Sequence, residues 1–136
     1  MLVPFLQAKD EGKRFRVTIG DIEVDTNANI TNQLCDFLGC DVLLSYDVTI
    51  LGQNYSLCCS KEDMRKENGW IPTFPLLDAN GEVADLVANS YVILKDWDGT
   101  SFTPMEKGEM EAIIVQMDKL RIEAVEAARR MLLKWD

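Results

Sequence analysis

A chain of 136 residues, 47% hydrophobic and 27% charged, is long enough to bury about two-thirds of the surface its unfolded form exposes, so a core forms without disulfide or metal staples. No apolar run approaches the roughly 20 residues of a membrane span, and residues 1–6 are too short and lack the basic flank of a secretory leader, so one cytoplasmic domain with no membrane association is expected. The net charge of −9 is concentrated in residues 17–94, where twelve acids face three bases, and such a field repels nucleic acid while speeding encounter with a basic partner.

Leu2–Leu6 reads as a first strand and Lys9–Lys13 as a polar loop. Phe15, Val17 and Ile19 alternate with polar residues on a second strand, after which Gly20-Asp21 is expected to turn the chain into Ile22–Val24. Asp25–Asn29 is rich in capping residues, and Ile30, Leu34, Phe37 and Leu38 repeat at helical spacing before Gly39 ends the pattern. Val42, Leu44, Tyr46, Val48 and Ile50 alternate strictly, Gly52-Gln53 turns the chain back, and Tyr55, Leu57 and Cys59 form the inner face of the partner strand.

Ser60-Lys61-Glu62-Asp63 reads as a capping box opening a helix of about two turns that Asn68-Gly69 closes. Two prolines in Trp70–Pro75 exclude a central strand and leave an edge or an extended lead-in. Asp78-Ala79-Asn80-Gly81 is a turn, Glu82–Val87 reads equally as extended or helical, and Tyr91–Leu94 is a strand buried on both faces. Asp98-Gly99 signals another hairpin, with Ser101-Phe102 pairing briefly.

The clearest periodic signal is C-terminal. Thr103-Pro104-Met105-Glu106 has the form of a capping box, and Met110, Ile113, Met117, Leu120, Ala124, Ala127, Met131 and Trp135 follow in steps of three and four, which predicts a helix over residues 104–134. At 1.5 Å per residue it would run about 46 Å, against a diameter under about 40 Å for a compact domain of this length. Its second half should then overhang, so Ala124, Ala128, Met131, Leu132 and Trp135 are candidate contacts of a homodimer, with Ala124, Ala127 and Ala128 small enough to admit a second helix and Glu126 paired with Arg130 outside; the alternative is a helix that lies wholly across its own sheet or breaks near Leu120.

Chemistry-bearing patterns are few. There is no histidine, the usual general base near neutral pH, and no CxxC pair among Cys35, Cys40, Cys58 and Cys59, so neither zinc nor any other cofactor is expected and the thiols read as reduced, buried hydrophobes. Asp78–Glu82 and Asp96–Gly99 lack the ligand spacing of a calcium loop and are turns. Phosphate loops and nucleophile elbows are missing, so no catalytic residue is assigned and a non-enzymatic protein is expected. The partner-binding candidates are the acids Asp21, Glu23, Asp25, Asp36, Asp41 and Asp47, of which Asp21, Glu23 and Asp25 alternate on one solvated face. Trp70, Trp97 and Trp135 fall at element ends, where they serve either a partner contact or the rim of a core.

The stretch Gly81–Leu94, followed by Asp96–Gly99 and Phe102-Thr103-Pro104-Met105-Glu106, resembles the closing half of a family of small domains of unknown function carried by phages, plasmids and gut bacteria, in which a glycine, an aspartate and a hydrophobic strand precede a polar turn and a capped helix. The resemblance, over residues 81–106, implies a mobile-element origin and an accessory factor acting on a host or anti-phage protein. The expectation is a single α+β domain over residues 1–136, an antiparallel hairpin-built sheet packed by a long C-terminal helix and two short helices. Its expected function is to bind and inhibit or modulate a basic, nucleic-acid-binding protein without touching nucleic acid itself. An acidic dimeric chaperone or adaptor and a small-molecule binding protein are the alternatives.

Overall fold

Tyr91, Val92, Ile93 and Leu94 are all fully buried at the centre of a five-stranded sheet, as an uninterrupted apolar run requires of a strand covered on both faces. The computed structural model describes residues 1–12, 14–67 and 69–135, with side chains as far as residue 131. Lys13 at the end of the expected loop, Asn68 as the expected helix stop, and the side chains of Leu132 and Trp135 lie outside the described residues.

The strands are β1 (Leu2–Asp10), β2 (Phe15–Glu23), β3 (Leu43–Ile50), β4 (Gln53–Ser60), β5 (Pro72–Leu77), β6 (Val83–Ala88) and β7 (Tyr91–Leu94); the helices are α1 (Ile30–Leu38) and α2 (Lys107–Trp135). The large sheet runs β2-β1-β7-β4-β3, every neighbour antiparallel, and β5–β6 forms a separate two-stranded sheet. The fold is therefore α+β, an antiparallel sheet packed by a long C-terminal helix.

Strict alternation sorts the side chains onto two faces. On one face Val3, Cys58, Val92 and Leu94 meet Ile30 and Leu34 of α1, and Phe5 meets Phe37 edge-on at 5.1 Å. On the other, Leu6, Tyr55, Leu57, Cys59, Tyr91 and Ile93 meet Phe74 and Val87 of the small sheet and Ile113 and Met117 of α2. The adjacent Cys58 and Cys59 thus lie in different cores. Helix α1 keeps its expected limits, because the Asn29 side chain accepts from the Asn32 amide at 2.9 Å and Gly39 takes the left-handed conformation that stops it. The Glu82–Val87 ambiguity resolves as strand β6, and the Pro-rich segment becomes β5, with an irregularity between Pro72 and Phe74 where the buried Thr73 hydroxyl donates to the Asn89 carbonyl at 2.8 Å.

Five expectations need correcting. Gly20-Asp21 is not a turn: β2 pairs with β1 without interruption from Leu2↔Glu23 to Asp10↔Phe15, and the expected Lys9–Lys13 loop shrinks to the turn beyond Asp10. Gly20 lies in extended backbone, and a Cβ there would meet the Phe5 ring at 3.4 Å, an ordinary van der Waals contact. The second short helix is one 3-10 turn, Asp63–Arg65; the Ser60 hydroxyl does accept from the Asp63 amide at 3.2 Å, but Lys66 turns left-handed and ends the element.

The remaining two corrections concern α2. It begins at Lys107, not residue 104, because Thr103 is held extended by a bridge to Lys95, its amide donating to the Lys95 carbonyl at 2.8 Å. The cap passes to Glu106, whose carbonyl accepts from the Met110 amide at 2.9 Å. Nor does its second half lack cover within the chain. Ala124 and Ala127 are buried against Leu86, with Trp70 and Val83 beside them, so the small sheet covers this part of the helix.

Candidate binding groove

A wide concavity among the described residues adjoins that arrangement. A groove of about 820 Å³ opens between edge strand β3, the β5–β6 hairpin and the second half of α2. Tyr46 and Val48 of β3, Phe74, Leu76 and Leu77 of β5, and Leu120 of α2 give it an apolar floor. Leu77 is 61% exposed, so a large apolar side chain stands open to any ligand there. Asp78, Glu123 and Glu126 line the rim with a single base, Arg130, and Asp47 borders it from β3 with its side chain on the other face of that strand. One Asp78 oxygen also accepts from the Asn80 amide at 2.8 Å and the Glu82 amide at 3.0 Å, holding the hairpin turn that shapes one wall. Tyr46 titrates above its ordinary value, chiefly because burial disfavours the phenolate, with the charge of Asp85 adding to it. It therefore enters the groove as a neutral ring and hydroxyl.

The six acids proposed from sequence do not gather. Asp21 and Glu23 lie on β2 and Asp47 on β3, the two opposite edges of the large sheet, four strand spacings or about 19 Å apart. Glu23 pairs with the Met1 ammonium, and the Asp25 carboxylate accepts from the Asn27 amide at 2.9 Å, holding the approach to α1. Asp36 is exposed on α1 and Asp41 in the segment after it. Only Asp47 borders the groove. The rim acids carry ordinary signals in sequence: Asp78 belongs to a turn, and Glu123 and Glu126 to the polar face of a helix.

The helix contacts proposed from sequence also separate. Ala124 is fully buried within the chain and cannot meet a second helix, whereas Ala128 and Met131 pack half-buried on the same cluster. Trp70 packs over that cluster, and Trp97 with Phe102 over the α1 core, so both cap cores of their own chain.

A second polar cluster joins three elements. The Tyr55 hydroxyl donates to Glu109 Oε2 at 2.7 Å and Lys95 Nζ donates to Oε1 at 3.1 Å, tying the first turn of α2 to β4 and the end of β7. Burial and then the Glu109 bond push Tyr55 up to about 12, while the Tyr55 and Lys95 bonds hold Glu109 below the usual carboxylate range. Each shift favours the proton's present position, which suits a structural brace and opposes proton transfer near neutral pH. Burial likewise pushes Cys40, Cys58 and Cys59 to about 12, leaving little thiolate for nucleophilic work. Among the described residues, no cluster of three or more cysteines and acids could hold a metal, and no helix is long and apolar enough to cross a membrane. No family model matches the chain, and neither a curated protein nor a solved structure matches it.

Proposed function

We propose that this chain is a non-enzymatic binding protein that engages a basic segment of a protein partner in the groove between β3, the β5–β6 hairpin and α2. The observation that carries the reading is the combination of an open apolar floor with a rim of three acids and one base, and a fourth acid, Asp47, on the adjoining face of β3. Apolar contact supplies affinity, and the acidic rim selects for lysine and arginine and steers their approach. An overall charge of −9 extends the same field and works against direct contact with nucleic acid. An inhibitor or modulator of a nucleic-acid-binding host or defence protein, carried by a phage or other mobile element and acting in the cytoplasm, is the concrete form of this function. The scattering of Asp21, Glu23, Asp25, Asp36 and Asp41 favours capture of a basic segment over imitation of a nucleic-acid backbone along one face.

Affinity capture from a bacterial lysate at low and high salt tests the reading. Basic proteins should be retained at about 0.05 M salt and released as the screening length falls to roughly 3 Å at 1 M. The double substitution Glu123→Gln with Glu126→Gln should reduce retention even at low salt. Capture of predominantly neutral or acidic proteins, or retention indifferent to both salt and substitution, would overturn it.

A further inference from the structure

The two edges of the large sheet differ in how they meet solvent. Strand β2 carries Arg16, Asp21 and Glu23 and a mid-strand glycine, the kinds of residue that discourage a further strand. Strand β3 has none of these protections except Asp47. It pairs with β4 at eight consecutive positions, Leu43↔Ser60 to Ile50↔Gln53, without a bulge, and it contains no glycine, proline, lysine or arginine. Among the described residues no strand pairs with its outer edge. That edge therefore presents a regular row of backbone donors and acceptors, and it forms one wall of the groove.

We infer that β3 is a strand acceptor: the basic segment binds extended, as a sixth strand on the outer edge of β3. The inference rests on the binding reading of the groove and specifies its mode. In a strand laid along β3, alternate side chains would point to the groove face beside Tyr46 and Val48, where apolar groups find Leu76 and Leu120 and longer basic groups reach Glu123 and Glu126. The intervening side chains would share the opposite face with Asp47 and Thr49, so a lysine or arginine directly across from Asp47 completes a cross-strand ion pair. Charge identifies the occupant as a basic partner and not a second copy, because antiparallel pairing of β3 with itself would bring two acidic rims together on chains that each carry −9.

A twelve-residue peptide alternating lysine and valine, labelled with fluorescein, is the probe, and fluorescence anisotropy with the intact protein is the assay. The peptide should bind saturably. A version with every backbone amide N-methylated, which keeps the charges and side chains but removes the strand's donors, should bind at least tenfold more weakly. Hydrogen exchange should slow in residues 43–50 when the parent peptide is added and remain unchanged in residues 15–23. If the methylated peptide binds within twofold of the parent, or protection appears along β2 instead, strand addition is wrong while a basic-segment site survives. If neither lysine peptide binds, or a glutamate–valine peptide binds equally well, both the mode and the proposed function fail.

Discussion

The covering of α2 by the small sheet makes Leu86→Ala the most informative single substitution. Leu86 is 3% exposed and packs on Ala124 and Ala127, so truncation removes most of the apolar surface that β6 lays on the second half of the helix. Buried leucine-to-alanine changes cost about 2–5 kcal/mol, and a site flanked by small side chains on a partly open rim belongs toward the lower end, at about 2.5 kcal/mol. An unfolding entropy of about 2.1 cal/mol/K per residue gives about 0.29 kcal/mol/K for this chain, so the melting temperature should fall by about 9 °C. Val115→Ala, at a position 56% exposed on the same helix, should change stability by less than about 0.5 kcal/mol. Urea unfolding gives the free energies, and melting at protein concentrations spanning a hundredfold tests for assembly. A Leu86→Ala loss below about 1 kcal/mol, or a wild-type melting temperature that climbs with concentration, would mean that something other than β6 holds the C-terminal half of the helix.

The three tyrosines, Tyr46, Tyr55 and Tyr91, all titrate above their ordinary value, each principally through burial. Raised folded-state values contribute stability that is complete below about pH 10 and lost as pH climbs toward about 12, so phenolate absorbance should rise together with loss of circular dichroism; a tyrosine ionising near 10 in the folded protein would contradict this. The Tyr91 hydroxyl is buried with no hydrogen-bond partner among the described residues, and Tyr91→Phe should therefore stabilise by about 1 kcal/mol in urea unfolding, where most core substitutions destabilise. Gly20→Ala should be neutral or slightly stabilising because β2 is extended there, whereas Gly39→Ala, at a φ of 66°, should cost about 1 kcal/mol; a larger loss at Gly20 than at Gly39 would restore the turn that the pairing register excludes. Cys58 and Cys59 should resist iodoacetamide at pH 8 until denaturant is added, and mass spectrometry showing rapid native alkylation of either would refute their burial.

Elements whose local signals agree were legible in sequence. The strand Tyr91–Leu94 is apolar throughout and lies at the centre of the sheet, between β1 and β4, with both faces covered. Helix α1 has periodicity, a side-chain cap and a glycine stop that all point the same way. Errors arose where a residue type has two uses. Glycine before aspartate marks a hairpin by its freedom at positive φ, yet Gly20 sits in extended backbone opposite Phe5 within an uninterrupted strand pairing. Thr103-Pro104 has the composition of a helix start, but a long-range bridge to Lys95 claims Thr103 first, and no local pattern encodes that competition.

The groove was harder to read because it belongs to no single segment. Its acids come from a strand, a turn and two turns of a helix, separated by up to about eighty residues, and each has an ordinary local explanation. What brings them together is the division of the β-structure into two sheets that share α2 as a common support. Had β5 joined the end of the large sheet beside β3, the free edge, the apolar floor and the acidic rim would all have been consumed by pairing. Thr73 shows why it did not: its buried hydroxyl is satisfied by the carbonyls of Val87 and Asn89 at 3.3 and 2.8 Å, at the irregularity between Pro72 and Phe74, which commits β5 to β6. Pro75 then removes a donor from the middle of the same strand and lowers the gain from any further pairing. The prolines that read in sequence only as edge signals are thus part of what keeps β3 unpaired, and an unpaired β3 is what gives this acidic surface a place for an extended partner.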